Sequence, residues 1–352
     1  MCSTVLHHPM ESSFPSEKSS HLFKSSKENQ DFSKTPTSFK DLISTLPKDN
    51  GWKFCQPLYL YQGFWYNPFV LEGTILAQKN FQAQPGDIFL CNAPKTGTSW
   101  LKALTFAIAT RNHFDLSSNP LLTKLPHDCV PSLEMDYFKN PTMPKPAGGL
   151  SVWATHISFS SLPKSITESK CKVIYICRDP KDTFVSLWHY LNKMRSKSHE
   201  EISLEEAFEL FCNGKSPYGP YWDHVLEYWK ASLECPNQFY FLKYEDMKKD
   251  TIFHLKKIAE FVGHPFSLEE EREGVVNKIM ELCSFENLSN LDINKKGQSP
   301  HADVDGGTVD NNLYFRKGKV GDWKNFLTFE MGERMDNIME TKLSGSGLNL
   351  KA

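Results

Sequence analysis

Residues 88–100 read Ile88-Phe89-Leu90-Cys91-Asn92-Ala93-Pro94-Lys95-Thr96-Gly97-Thr98-Ser99-Trp100, and the fold turns on how this stretch is parsed. Ile88 to Cys91 is a short apolar run, as in a buried strand. Asn92 to Ser99 is dense in turn-forming residues. From Trp100 through Leu101, Lys102, Ala103 and Leu104 the pattern is helical. Strand, tight loop and helix start in this order make an anion site, because free backbone N–H groups and the positive helix end converge on one spot. Lys95 adds a full positive charge, Thr96, Thr98 and Ser99 add hydroxyls, and Gly97 lets the backbone approach a ligand closely. The stretch reads as a phosphate cradle; an ordinary strand-to-helix turn has a similar composition.

The nucleotide-triphosphate loop has a different order, G-x-x-x-x-G-K-[ST]. Here Lys95 precedes Gly97, and no Gly opens the loop. Gly214-Lys215-Ser216 imitates the end of such a loop, but Glu209 stands where its first Gly belongs and Pro217 follows. That tripeptide reads as a helix C-terminus with a Gly stop.

With 352 residues the chain can bury a large core, in one α/β domain or two. A formal net charge of −2 supplies no global basic field for nucleic acid. A polyanionic ligand therefore needs local cations. No apolar run reaches the roughly 18 residues of a membrane span. The first twenty residues lack the basic-then-apolar pattern of a secretory signal. Nine Cys without a C-x-x-C pair read as reduced thiols in a cytoplasmic protein. The twelve His show no ligand spacing, so no metal is expected.

Residues 1–36, rich in Ser, Lys and Pro, read as a disordered arm. The domain is expected over 37–345, with 346–352 as a tail. Further strands are expected at 151–155, 173–177 and 239–244, and helices after Pro180 and at 203–212, 219–233, 248–262, 268–282 and 328–343. Strands alternating with helices imply a single α/β domain: a central parallel sheet with helices on both faces. The aromatic-rich 52–84 segment is either core or the wall of an acceptor pocket. The Pro-rich 117–149 segment reads as a lid or binding loop, and 292–312 as mobile.

Arg178-Asp179-Pro180-Lys181-Asp182-Thr183-Phe184-Val185-Ser186 joins a strand pattern to a helix. At 3.6 residues per turn Ser186 falls near the face of Arg178, so guanidinium and hydroxyl can grip a second phosphate. The bland reading is a surface Arg paired with Asp179 or Asp182. Arg316-Lys317-Gly318 can close over a phosphate, or be a solvated basic turn. His156, just after a strand, is either a structural histidine or a general base titrating near neutrality. Trp100 and Phe285, beside Ser284 and Cys283, are either core aromatics or the two walls of a purine site, with Tyr244 in reach of a ring nitrogen.

Together P-K-T-G-T-S-W, R-D-P-K-D-x-x-x-S, R-K-G-K-V-G-D-W-K and W-A-T-H-I resemble the plant-type cytosolic (soluble) sulfotransferases, over roughly residues 40–345. The resemblance implies a P-loop-like sulfotransferase fold. It implies an enzyme of plant secondary metabolism that moves a sulfuryl group from 3′-phosphoadenosine 5′-phosphosulfate (PAPS) to a hydroxyl of a small acceptor. It places Lys95, Thr96, Gly97, Thr98 and Ser99 on the 5′-phosphate, and Arg178, Ser186, Arg316, Lys317 and Gly318 on the 3′-phosphate. Trp100, Tyr244, Ser284 and Phe285 fall to the base, and His156, Lys95 and Ser186 to the chemistry. Lys324 to Glu333 resembles the family's short homodimer motif, with Phe329 where Val is usual. Ala154 stands where animal members carry Lys, and Cys283 where Thr is frequent. The acceptor stays open among flavonoids, hydroxyjasmonates, steroids and desulfo-glucosinolates. A nucleotide-binding regulator without turnover and an ATP-dependent P-loop kinase are the rival readings.

Overall fold

The structure is a computed structural model that describes residues 38–137, 139, 151–195, 200–300 and 308–350. The expected arm at 1–36 lies outside the described residues.

A small antiparallel sheet comes first in the chain: β1 (Lys48–Asp49), β2 (Leu58–Tyr61) and β3 (Phe64–Tyr66). The central sheet follows: β4 (Ile88–Cys91), β5 (Val152–Thr155), β6 (Lys172–Cys177) and β7 (Phe239–Lys243). Its strand order is β5-β4-β6-β7, and every pairing is parallel. A last hairpin pairs β8 (Gln298–Pro300) with β9 (Thr308–Asp310).

The sheet is covered on both faces, which is why its strands are written as continuous apolar runs rather than as alternations. Period-2 side chains sort each strand between two cores. Phe89, Cys91, Trp153, Val173, Tyr175 and Cys177 join one, with Phe184, Phe208, Phe211 and Tyr228. Ile88, Leu90, Val152, Ala154, Ile174 and Ile176 join the other, with Leu101, Leu104, Leu255, Ile258 and Ile279 from the covering helices. Each Val, Leu, Ile or Phe among them contributes about 1.5–3 kcal/mol on full burial.

Parallel pairing has one consequence for function: all four strands end on the same edge. The residues that follow the strand ends are Asn92, His156, Arg178 and Tyr244. Residues from the distant sequence segments thus meet at one edge, where open α/β sheets bind ligands.

Local departures from the sequence reading have local causes. The expected helix at 268–282 is two helices, Leu268–Arg272 and Val275–Leu282, separated by Gly274 at φ +73°. The expected helix at 248–262 is split into Tyr244–Lys249 and Thr251–Phe261, because Asp250 leaves the helical conformation and caps the second one through Phe253 N–H. Within 292–312, Asp292–Lys296 is a helix and the flanks of 301–307 are tied by the β8–β9 pairing; residues 301–307 are outside the described residues. Of the Pro-rich segment, Pro126–Cys129 is a helical turn and Leu133–Tyr137 is a π-helical one, with Leu121, Leu125, Val130 and Leu133 in the core. Beyond the last helix, Phe329–Leu343, Leu348 and Leu350 return to the core.

Candidate active site

The turn after β4 is built around Asn92. Its side-chain N–H groups reach the Ala93 carbonyl at 2.7 Å, Thr96 Oγ1 at 3.1 Å and Thr98 Oγ1 at 2.6 Å. Lys95 and Gly97 both take left-handed backbone, at φ +70° and +118°. At Gly97 a Cβ would lie 2.9 Å from Tyr244 Cδ2, so both the turn and the neighbour demand Gly. The helix Thr98–Thr110 then starts with no side chain capping its first turn, leaving those N–H groups free for an anion.

The expected loop residues divide by orientation. Gly97, Thr98, Ser99 and Trp100 line a cavity of 690 Å³ together with Lys95. Thr96 is buried beneath, with its hydroxyl committed to the Ala93 and Ile176 carbonyls at 2.8 and 3.1 Å. What Thr96 can offer a ligand is its backbone. Ser99 Oγ is 3.4 Å from His127 Nε2.

Lys95 lies half-buried, its Nζ 4.0 Å from the centre of the Tyr190 ring. Burial, and then the charges of Arg316, Arg178 and Lys193, push its ammonium down to about 7. Cations crowded this closely favour an anion among them.

Arg178 and Ser186 line the same cavity and are each only 6% exposed. Arg178 pairs with Asp182 at 3.3 Å, donates to the Lys319 carbonyl at 2.6 Å and lies 4.7 Å over the Tyr244 ring. Of the two carboxylates weighed from sequence, Asp182 is the partner, whereas Asp179 turns to cap its helix through Lys181 N–H. Asp182 also accepts from Gly321 N–H and Trp323 N–H, at 2.7 and 2.9 Å. Those bonds dock the Arg316–Gly318 segment beside Arg178.

In that segment Arg316 and Lys317 share Asp322. Burial raises the Asp322 carboxyl, but the bonds from Lys317, Arg316 and Asn325 outweigh it and hold the group down at about 2. Gly318 is left-handed at φ +62°, and a Cβ there would sit 2.6 Å from the Phe285 ring. The Nε atoms of Arg178 and of Arg316 are both buried without a partner.

Trp100, Tyr244, Ser284 and Phe285 complete this end of the cavity. Trp100 meets Tyr244 edge-on at 5.5 Å. Ser284 caps the short helix that starts at Phe285, accepting from Asn287 N–H. Cys283 is fully buried, and burial pushes its thiol up.

His156 follows β5. Its Nδ1 lies 2.6 Å from the Asn92 carbonyl. A carbonyl only accepts, so Nδ1 carries the proton and Nε2 carries the lone pair. The backbone N–H of His156 donates to Glu134 Oε1 at 2.9 Å, and its carbonyl accepts from His224 Nε2 at 2.9 Å. Burial pushes the imidazole down to about 4, against the Asn92 bond and with the charges of Lys102 and Lys95. At neutral pH His156 is an uncharged base on the cavity wall.

Sequence reasoning passed over Asn92, Lys102, Glu134, Tyr190 and Tyr218. Tyr190 stands one helical turn beyond Ser186, a spacing that could have found it. Glu134 is a carboxylate inside an irregular segment, and nothing local marks it. Among the described residues no group of His, Cys, Asp and Glu is arranged to hold a metal ion. Nor is any helix of the described residues long and apolar enough to cross a membrane.

Residues 85–347 match the sulfotransferase domain family. The chain belongs to that family. A flavonol sulfotransferase-like protein of Flaveria bidentis is 49% identical over 314 residues, 89% of this chain and 100% of the relative. Cytosolic sulfotransferase 17 of Arabidopsis thaliana is 48% identical over 331 residues, 94% of each chain. Among solved structures, a mouse sulfotransferase in complex with PAP superposes with a TM-score of 0.60 at 28% identity, covering 82% of this chain and 95% of that one. This sulfotransferase thus has the expected fold, and the kinase reading falls away.

Proposed function

We propose that this sulfotransferase moves the sulfuryl group of PAPS onto a hydroxyl of a small plant acceptor in the cytosol, with flavonols as the first class to test. The observation that carries the reading is that the uncharged base His156 shares one cavity with Lys95, Arg178 and Arg316. The Lys95–Gly97 turn on one side, and Arg178 and Arg316 with their unpartnered Nε atoms beside Gly318 on the other, fit two separate phosphates. A second phosphate is what distinguishes PAPS from ATP. PAP in the mouse relative and flavonol in the names of the Flaveria relatives support the same pair of substrates.

In this reading His156 Nε2 takes the acceptor proton as the acceptor oxygen bonds to sulfur. The bond from sulfur to the 5′-phosphate oxygen breaks, and its electron pair leaves with that oxygen. Lys95 and the first N–H groups of the helix Thr98–Thr110 meet the charge growing there. Gly97, Thr98, Ser99 and the Thr96 backbone hold the 5′-phosphate. Arg178, Ser186, Arg316, Lys317 and Gly318 hold the 3′-phosphate. Trp100, Tyr244, Ser284 and Phe285 wall the base. The balancing cations are all side chains of this chain, so no step calls for a metal. Phe54, Phe69, Met135, Met194 and Tyr218 line the remaining, acceptor end.

Sulfur-labelled PAPS, incubated with the protein and a panel of hydroxylated plant metabolites, tests the reading. Label is expected on an aromatic acceptor, and is lost in His156→Ala while adenosine 3′,5′-bisphosphate (PAP) still binds. Tight binding of PAP with no transfer to any acceptor overturns it. The segment Lys324–Glu333 is assigned to a homodimer contact, supported by Phe329, which is 73% exposed at the start of the last helix.

A further inference from the structure

The reaction as drawn leaves one buried cation without a task. Lys102 lies on the helix Thr98–Thr110, is 4% exposed, and lines the cavity. Its Nζ donates to the Val130 carbonyl at 2.9 Å. An ammonium has three donors, and the Val130 carbonyl takes one of them. A buried ammonium so sparsely satisfied is costly unless a ligand completes it. Burial holds it down at about 8, against the more distant Asp136, Glu134 and Asp128. Its charge is also felt by His156.

Two residues beyond Val130 stands Ser132, likewise 4% exposed and likewise on the cavity wall. Its backbone is pinned: Ser132 N–H donates to Asp136 Oδ2 at 2.7 Å, and Ser132 bridges to Ala154. Its hydroxyl is buried with no partner. The neighbouring Ala154 N–H donates to Pro131, which fixes this wall against β5 two residues before His156. A cation held to Val130 and an unused hydroxyl two residues further along, where Ser132 bridges to Ala154, therefore both line the cavity that His156 lines.

We propose that Lys102 and Ser132 form a polar acceptor subsite for two oxygens on neighbouring carbons, Lys102 taking the oxygen that attacks and Ser132 the oxygen beside it. This rests on the transfer reaction proposed above. As His156 removes the proton, negative charge gathers on the attacking oxygen, and the Lys102 ammonium meets it. The acceptor class is an aromatic hydroxyl with an oxygen on the adjacent carbon, either a hydroxyl, an ether or a carbonyl.

The test uses labelled PAPS with three phenols: 4-methoxyphenol, the more acidic 4-nitrophenol, and 2-methoxyphenol, which carries the neighbouring oxygen. Lys102→Met is expected to lower kcat/KM about 100-fold on 4-methoxyphenol but under about 10-fold on 4-nitrophenol, whose oxygen needs less help to carry charge. Ser132→Ala is expected to abolish the wild-type preference for 2-methoxyphenol over 4-methoxyphenol. PAP affinity should stay unchanged in both variants. Equal losses on the two para-substituted phenols, or an intact 2-methoxyphenol preference in Ser132→Ala, overturn the subsite. If Lys102→Met fails to bind PAP, Ser132→Ala decides alone. A wild-type protein that sulfates alcohols but none of these phenols refutes the subsite and leaves sulfuryl transfer standing. Transfer to nothing refutes the reaction itself.

Discussion

His156 Nδ1 stands 2.6 Å from the carbonyl oxygen of Asn92, so the imidazole at the end of β5 is tied to the first residue of the loop after β4. Base and loop form one hydrogen-bonded unit, and the same bond selects the tautomer that leaves Nε2 free. Asn92 in turn holds Thr98 through its side chain. A displacement at either strand end is therefore felt at both the His156 ring and the turn that carries Lys95.

The protonation states give a pH profile with its sign fixed. A base must be neutral, and burial holds His156 at about 4 rather than 6.5, so activity present at neutral pH is lost only as pH falls through about 4. Lys95 must be charged, and it sits at about 7, so kcat/KM declines as pH rises through that value. Because kcat/KM reports the free enzyme, the alkaline limb of kcat should lie higher, where a bound phosphate restores the Lys95 charge. Initial rates from pH 4 to 9 check this; an acid limb near the ordinary imidazole value contradicts the buried, neutral His156.

Gly97→Ala places a Cβ 2.9 Å from Tyr244 in a backbone at φ +118°. Strain of that kind costs on the order of 1–3 kcal/mol, and here it falls on the anion site. PAP binding by calorimetry should weaken about 10-fold or more, which is about 1.4 kcal/mol.

The two arginines should fail differently. Asp182 is fully buried, so Arg178→Ala strips its ion-pair partner and is expected to cost about 3–5 kcal/mol of stability. Thermal melting without ligand should show a clear drop. Arg316→Ala leaves Asp322 with Lys317 at 2.9 Å and with Asn325, so melting should change little. Its signature is lost selectivity: the preference for PAP over adenosine 5′-phosphate shrinks. A melting loss as large for Arg316 as for Arg178 contradicts this division.

The fold was legible because a parallel sheet buried on both faces writes β4 and β6 as bare apolar runs. His156 and Arg178 were placed correctly at strand ends because each follows its strand directly, and Lys95 because it lies in the turn just after β4. Distant pairings were not legible. Lys102 looks like any helical Lys until Val130 meets its ammonium, and Glu134 looks like a loop carboxylate until β5 arrives above it. The break at Gly274 was missed because strong helix formers stand on both sides of it and an isolated Gly is tolerated inside a helix. The choice of Asp182 over Asp179 depended on where the 321–323 turn docks, which no local pattern reports.

Phe329 makes the homodimer assignment testable. A large apolar side chain at a helix start, 73% exposed, has little to contribute within one chain. Phe329→Glu should therefore leave melting and turnover unchanged while shifting sedimentation from dimer to monomer. A wild-type protein that sediments as a monomer at every concentration sinks the assignment.

Glu134 supplies the last prediction. It is fully buried and accepts from His156 N–H at 2.9 Å, Thr155 Oγ1 at 2.8 Å and Tyr218 O–H at 3.2 Å. Burial raises its carboxyl against these bonds. It touches the backbone that carries the base, so it positions His156 rather than reacting. Glu134→Gln keeps the shape but replaces a carboxylate by a neutral amide, whose oxygen holds the His156 N–H more weakly and whose NH2 makes the Thr155 hydroxyl turn from donor to acceptor. Turnover should fall about 10-fold, equal to about 1.4 kcal/mol on the barrier, with PAP affinity unchanged. Gly73→Ala offers the same test from outside the cavity, because its Cβ would lie 1.8 Å from the Glu134 carbonyl oxygen and must displace that turn. Both variants should lower kcat without moving PAP binding. A parallel loss of PAP affinity would mean that Glu134 supports the whole strand edge, phosphate loop included, and not the base alone.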